Sequence, residues 1–342
     1  MDLSIIVPVY NVEEYIRPCI ESIFKQGLND DAFEVIIVND GTQDNSIGVI
    51  QDIINEHDNI TVINQENQGL SVARNNGIVQ AKGEYILMLD SDDLLIENRL
   101  PILLNKALET QVDLVVANYY KMVDEEIENF QGVDQQEVAF QEKTGEQLIL
   151  EYLRPYQCNV WRTLYRRAFL SENKLSFIPG IYYEDFPFTY ECYLKARRCL
   201  RTSCYFHIYR NHRFGSITSS YSFQKASSYC TAIAKAWHLS QTKGLSPQTR
   251  YKLEEDVYMT YKMMIYNTLY FFKKPSERKN IITTLINEVP TLSFTHSVWQ
   301  KITTLMIRQL PFLYIELYYF YYQIVYRKVL LPTSWKHIHF EY

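Results

Sequence analysis

The chain has 342 residues, 47% hydrophobic and 22% charged, with a formal net charge of -6, a globular composition with room for about two domains. The acidic balance excludes a general nucleic-acid binder, whose footprint is basic. Six cysteines with no CxxC pair give neither a zinc pattern nor a disulfide framework, so a reducing compartment is expected.

The opening "MDLSIIVPVYN" has an apolar run with no basic segment before it and no small-residue cleavage site after it. It therefore reads as a strand at residues 3–7 rather than a signal peptide, and a cytosolic location is expected. Residues 12–26 follow as a helix with Tyr15, Cys19, Ile20 and Ile23 on one face, stopped at Gly27. "FEVIIV" is a second strand that ends in "NDGTQDNS", where Asp44 or Ser46 is placed to cap the next helix. "ITVIN" is a third strand and "LSVARNNGIVQA" a helix that stops near Gly83. "GEYILMLDSDDLL" then gives a fourth strand, apolar on both faces as parallel strands are.

Strands alternating with helices on short connections imply a parallel, open α/β sheet, in which ligands bind beyond the carboxyl ends of the strands. Pro8, Tyr10 and Asn11 follow strand one, Asp40 follows strand two, Asn67 and Gln68 follow strand three, and Asp90 and Asp92 follow strand four. No GxGxxG follows strand one and no GxxxxGK[ST] occurs anywhere, so phosphates are not held by a glycine-rich loop. Asp90, Asp92 and Asp93 packed at a buried strand end would repel one another unless compensated. The positive charge that answers them is expected to be a hard cation, Mn²⁺ or Mg²⁺, shared with a diphosphate. The plainer alternative is that Asp92 or Asp93 caps a helix beginning near Ile96.

Residues 124–147 are acidic and polar and read as an excursion between sheet elements. Glu184 and Asp185 stand in the aromatic stretch "GIYYEDFPF" before a helix; apolar neighbours raise a carboxylate's pKa and suit it to general-base work, although an acid at a helix start also satisfies the dipole. Tyr209, Arg210, His212, Arg213 and Ser216 form a polar loop suited to phosphates, with His207 or His212 as a further metal ligand. Helices dominate residues 222–342, with starts at Ser246–Pro247 and Pro275. No stretch of about 18 residues is apolar enough to span a membrane. In the terminal segment Leu313, Leu317, Phe320 and Ile324 share one helical face, while Glu316, Gln323 and Arg327 share another. That stripe packs on the catalytic domain or a second copy of the chain, or it lies on a membrane surface through residues 310–340. On the membrane reading, Tyr318, Tyr319, Tyr321 and Tyr322 sit at headgroup depth and Arg327, Lys328 and Lys336 near anionic lipid.

"SIIVPVYNVEEYI", "EVIIVNDGTQDNS", "NQGLSVARNNGIVQAKGEYILMLDSDD" and "GIYYEDFPF", taken in this order and spacing, resemble the family 2 glycosyltransferases of bacterial surface or capsular polysaccharide type. The resemblance covers residues 1–120 and 158–220 and does not extend to the C-terminal helices. It implies a GT-A fold, an open, mostly parallel α/β sheet between helices, over residues 1–220, with a nucleotide-binding half at 1–120 and an acceptor half at 121–220. Residues 221–342 are then a helical C-terminal region.

Carried over residue by residue, Pro8 and Tyr10 line the base pocket, Asp40 accepts from the uracil N3 hydrogen, and Asn67 and Arg74 complete the nucleotide site. Asp90 faces ribose and metal, Asp92 is the principal ligand of Mn²⁺ or Mg²⁺, Asp185 is the catalytic base, and Glu184 contacts sugar or acceptor. The expected reaction moves one sugar from a nucleotide-diphosphate donor, a UDP-sugar, to a hydroxyl of a glycan or lipid-linked glycan, with inversion to a β-linkage. The expected location is the cytoplasm, peripheral at the inner face of the cell membrane. The family's processive synthases carry QxxRW and spanning helices, both absent here, so one sugar is added per encounter. Two other classes compete: a sugar nucleotidyltransferase, which would carry a glycine-rich basic loop where this chain has "PVYNVEEY", and an inactive scaffold, against which the intact "DSDD" and "YED" argue.

Overall fold

The computed structural model describes residues 1–132, 137–155, 157–211 and 221–329. The chain forms two compact units. The first comprises residues 1–152, 159–180 and 191–217, and the second residues 153–158, 181–190 and 218–342.

The described residues of the first unit form nine strands: β1 (Leu3–Val9), β2 (Phe33–Asn39), β3 (Ile60–Asn64), β4 (Tyr85–Met88), β5 (Leu94–Leu95), β6 (Leu114–Met122), β7 (Phe140–Lys143), β8 (Thr163–Arg166) and β9 (Cys199–Arg210). They pair in the order β3-β2-β1-β4-β8-β6-β9-β5, with β7 also on β9. The expected parallel sheet is present as β3-β2-β1-β4. Beyond β4 the sheet turns mixed, because β8 enters antiparallel between β4 and β6 while β6 and β9 run parallel.

Every residue of β1 and β4 is buried, as strands covered on both faces must be. Ile16, Cys19, Ile20 and Ile23 of helix Ile16–Phe24 bury against one face, each large aliphatic side chain contributing about 1.5–3 kcal/mol. On helix Leu70–Gln80, Gly77 leaves no side chain where a Cβ would stand 2.3 Å from Ile6; this permits the helix to approach β1. The polar excursion at 124–147 adds helix Asp124–Glu128, strand β7 and helix Gly145–Glu151, the last capped by Thr144. All six cysteines are buried and free, and burial pushes the Cys19 thiol well up.

The second unit is helical: Phe223–Ser240, Pro247–Phe271, Pro275–Glu288, Val298–Gln309 and Pro311–Val329. Ser246 caps its helix by accepting from Thr249 N at 3.1 Å, with Pro247 in the first turn. Asp256 accepts from the Tyr190 hydroxyl at 2.5 Å and pairs with Lys252. Among the described residues no helix is long and apolar enough to cross a membrane.

Candidate active site

The first unit gathers the loops that follow its parallel strands. Pairing between β1 and β4 ends at Ile6 and Met88, beyond which Leu89 N donates to Ile6 O at 2.9 Å. Pro8, which has no N–H to give, therefore lies where β1 has a neighbour on one side only. Tyr10 follows, 44% exposed. Asn11 takes a left-handed backbone (φ 53°) and is fixed there: its N–H donates to Thr42 Oγ1 at 2.8 Å and its Oδ1 accepts from Gln43 N at 3.0 Å. Gly41 has φ +68°, and a Cβ there would stand 2.9 Å from Asn67 N, so only glycine lets the loop after β2 lie against the loop after β3. Asn67 itself is exposed.

Asp40 is 3% exposed. Its Oδ1 accepts from Gln65 Nε2 at 2.7 Å and Gln68 N at 2.8 Å, and its Oδ2 accepts from Gly69 N at 2.9 Å. It thereby fixes the turn that opens helix Leu70–Gln80. Gln65, which the sequence reading passed over, joins this network through Asn76 at 2.6 Å; an isolated glutamine at a strand end carries no signal of such a role. Asp44 and Ser46 cap no helix: Asp44 accepts from Glu13 N and Ser46 N, and Ser46 Oγ accepts from Val12 N.

Arg74 answers part of the question posed by the carboxylate cluster. Its Nη2 donates to Asp90 Oδ1 at 2.7 Å, and its guanidinium lies 5.2 Å from the centre of the Phe177 ring. Asp93 is wholly buried; it accepts from Arg210 N at 2.9 Å and bonds His207 Nε2 at 2.8 Å. Burial holds the His207 imidazole down at about 3, so it is neutral and donates through Nε2. Trp161 stacks on that ring at 4.1 Å. Arg210 Nε also donates to Asp92 O at 2.8 Å. In-chain groups thus meet part of the cluster's need: Arg74 supplies a counter-charge to Asp90, while the Arg210 backbone N–H and the neutral His207 fix Asp93 by hydrogen bonds.

Neither Asp92 nor Asp93 caps the following helix, which starts at Leu100 and whose first N–H groups are accepted by Gln26 Oε1. His207 packs inside, on Asp93. His212, Arg213 and Ser216 lie outside the described residues.

Among the described residues no group of three or more His, Cys, Asp or Glu is arranged to hold a metal. Asp90 and Asp92 are both partly exposed hard oxygen donors. Two carboxylates suit Mg²⁺ or Mn²⁺ completed by phosphate oxygens and water, so the residues fit the implied cation.

Glu184 and Asp185 belong to the second unit. Asp185 is the first residue of helix Asp185–Lys195 and half-buried, while Glu184 is buried. Tyr183, immediately before them, adopts φ 62°, costly for a bulky side chain. Its ring stacks on Tyr229 at 3.7 Å, and burial pushes its phenol up to about 12. Lys225 Nζ lies 5.3 Å from the centre of the Tyr182 ring. The two aromatics before Glu184 thus pack on Tyr229 and beside Lys225.

The sequence profile of "Glycosyl transferase family 2" matches residues 4–171. Glycosyltransferase GlyG of Streptococcus pneumoniae is 32% identical over 226 residues, 63% of this chain and 72% of that one. The chain belongs to glycosyl transferase family 2. The uncharacterized glycosyltransferase EpsJ of Bacillus subtilis is 36% identical over 212 residues, so the match spans 61% of that relative's length. In three dimensions the family 2 chain is similar to residues 1–349 of S. aureus TarS in complex with UDP-GlcNAc, with TM-score 0.67 and 22% identity over 90% of this chain and 91% of that one. That likeness is one of fold, and it takes in C-terminal helices that the sequence resemblance did not reach.

Proposed function

We propose that the chain is a metal-dependent inverting glycosyltransferase that moves one sugar from a UDP-sugar to a hydroxyl of a glycan or lipid-linked glycan in cell-surface polysaccharide synthesis. The observation that carries this reading is the set of groups beyond the carboxyl ends of β1, β2 and β4: Tyr10, Asp40, and Asp90 with Asp92. The UDP-GlcNAc bound by TarS supports a nucleotide-diphosphate donor of this kind.

In the first unit, Pro8 and Tyr10 offer an apolar and an aromatic surface to the base, and Asp40 accepts from its edge N–H, since a carboxylate has more lone pairs than its three in-chain donors occupy. Asn67 and Arg74 complete the nucleotide site, Arg74 by keeping Asp90 in place. Asp90 and Asp92 would hold Mn²⁺ or Mg²⁺, which supplies charge neutralisation of the departing diphosphate. In the second unit, Asp185 takes the acceptor hydroxyl proton and Glu184 contacts sugar or acceptor. A single displacement inverts the anomeric centre, so an α-linked donor gives a β-linked product. A lipid-linked acceptor places the protein peripherally at the inner face of the cell membrane.

The test is a panel of nucleotide-sugars with lysate glycolipids as acceptors, read by product mass. A single added sugar from one UDP-sugar is expected. Donor hydrolysis without transfer to any acceptor, or no turnover of any donor, contradicts the reading.

A further inference from the structure

The helix Pro311–Val329 turns its apolar stripe outward. Leu313 and Leu317, four residues apart, are each about half exposed, and Phe320 is 66% exposed. Glu316, on the other helical face, is held by the buried Arg278, whose Nε and Nη2 reach its two oxygens at 2.8 and 2.5 Å. The Tyr314 hydroxyl accepts from Tyr261 at 3.0 Å, and Tyr318 bonds Tyr266 at 3.4 Å, so these tyrosines face the helices of their own unit and not lipid headgroups. Among the described residues, Leu313, Leu317 and Phe320 of the stripe read from the sequence therefore face outward, while the side chains of Ile324, Arg327, Lys328 and Lys336 lie outside the described residues.

The preceding helix repeats the arrangement. Val298, Ile302 and Leu305 are exposed and Trp299 is 74% exposed, while Gln300, Thr303 and Ile307 are buried on the opposite side. The exposed Leu310 is the single residue between the two helices, so the two apolar stripes follow one another directly along the chain. Apolar residues exposed one by one need no explanation, but a run across two joined helices marks an interaction surface.

Charge decides between occupants. Residues 297–342 carry Lys301, Arg308, Arg327, Lys328 and Lys336 against Glu316 and Glu341. That is +3, and with -6 for the whole chain the remainder carries -9. From 297 to 323 the one carboxylate is Glu316, already paired with Arg278. Lys301 and Arg308 are exposed and seven residues apart, so they share one edge of the stripe. A two-fold contact with a second copy would set these cations against each other, and from 297 to 323 the face has no unpaired carboxylate among the described residues to receive them. An anionic bilayer supplies the charge they lack, and Trp299 and Phe320 are the residue types that enter its interface.

We propose that the outward stripes of helices Val298–Gln309 and Pro311–Val329 form a docking face for an anionic lipid bilayer. The proposal builds on the lipid-linked acceptor in the function given above, and it moves the membrane contact from residues 310–340 to both helices.

The experiment is flotation of the full-length protein with vesicles of phosphatidylcholine, with and without phosphatidylglycerol, beside light scattering and UDP calorimetry on the same samples. The wild type is expected to float with phosphatidylglycerol vesicles. Lys301→Glu with Arg308→Glu should weaken that partition about tenfold or more, and Leu313→Gln, Leu317→Gln and Phe320→Gln together should abolish it. Because these side chains are exposed, UDP affinity should stay unchanged in every variant. A wild type that stays in the soluble fraction, floats equally on neutral vesicles, or forms a dimer that the triple variant dissolves overturns the docking face. Sugar transfer to a soluble acceptor by a protein that does not float overturns docking alone, and flotation without any transfer overturns the proposed function alone.

Discussion

Arg74 and Asp90 form an ion pair of 2.7 Å in which the guanidinium is 1% exposed and the carboxylate 26% exposed. The two ends of the pair are therefore unequal. Removing the carboxylate takes a charge partner from a cation that water barely reaches, while removing the cation leaves an acid that water does reach.

Asp90→Ala is expected to cost about 3 kcal/mol of stability, the low end for breaking a buried pair, and Arg74→Leu about 1 kcal/mol less. Urea unfolding of the two variants checks the order. A larger loss for Arg74→Leu would mean that the pair is not the main tie at this position.

Asp40→Ala should weaken UDP binding by about 1–3 kcal/mol, the cost of removing one buried polar partner. Asp40 also holds Gln68 N and Gly69 N, so Asp40→Asn, which keeps an acceptor, should retain more of the fold than Asp40→Ala. Calorimetry with UDP and a melting curve separate the two effects. Unchanged UDP affinity in a correctly folded Asp40→Ala would remove this residue from the base site.

Much of this was legible in the sequence. The parallel half of the sheet follows from apolar runs separated by helix-period segments, and Ser246 and Pro275 mark helix starts that the structure keeps. The carboxylate cluster was legible as a place needing compensation, but not the source of that compensation. Arg74 lies 16 residues from Asp90 and His207 lies 114 from Asp93, and nothing local announces either pairing. β8 could not be anticipated between β4 and β6, since strand order depends on partners far apart in the chain. The terminal helix shows a third limit: periodicity identifies an apolar stripe, but only tertiary contacts, here Arg278 with Glu316, decide which way it faces.

Asp185→Asn is expected to keep UDP binding and lose transfer by at least about a hundredfold, the lower range for general-base catalysis. Single-turnover transfer measured beside UDP affinity checks it. Near wild-type transfer would move the base elsewhere, with Glu184 the first candidate.

Glu316→Ala removes the charged partner of a buried guanidinium that also donates to Phe272 O and Lys273 O and stacks on Tyr319, 3.7 Å from the ring centre. A loss of about 2–3 kcal/mol is expected in the helical unit, because the carboxylate is partly exposed while Arg278 is not. Denaturant unfolding followed by hydrogen exchange over helices Pro275–Glu288 and Pro311–Val329 reads it. Unaltered exchange in both helices would show that Arg278 is held by its other contacts.

The central claim is that Asp92, with Asp90, binds a divalent cation that carries the donor's diphosphate. The most direct measurement is UDP affinity by calorimetry for the wild type and Asp92→Asn, each with Mn²⁺ and with excess EDTA. The account predicts that Mn²⁺ tightens UDP binding to the wild type by about tenfold or more, the effect of one charge-assisted contact, and that neither EDTA-treated wild type nor Asp92→Asn shows the gain. Equal UDP affinity in all four samples, with full turnover of the wild type in EDTA, would contradict it.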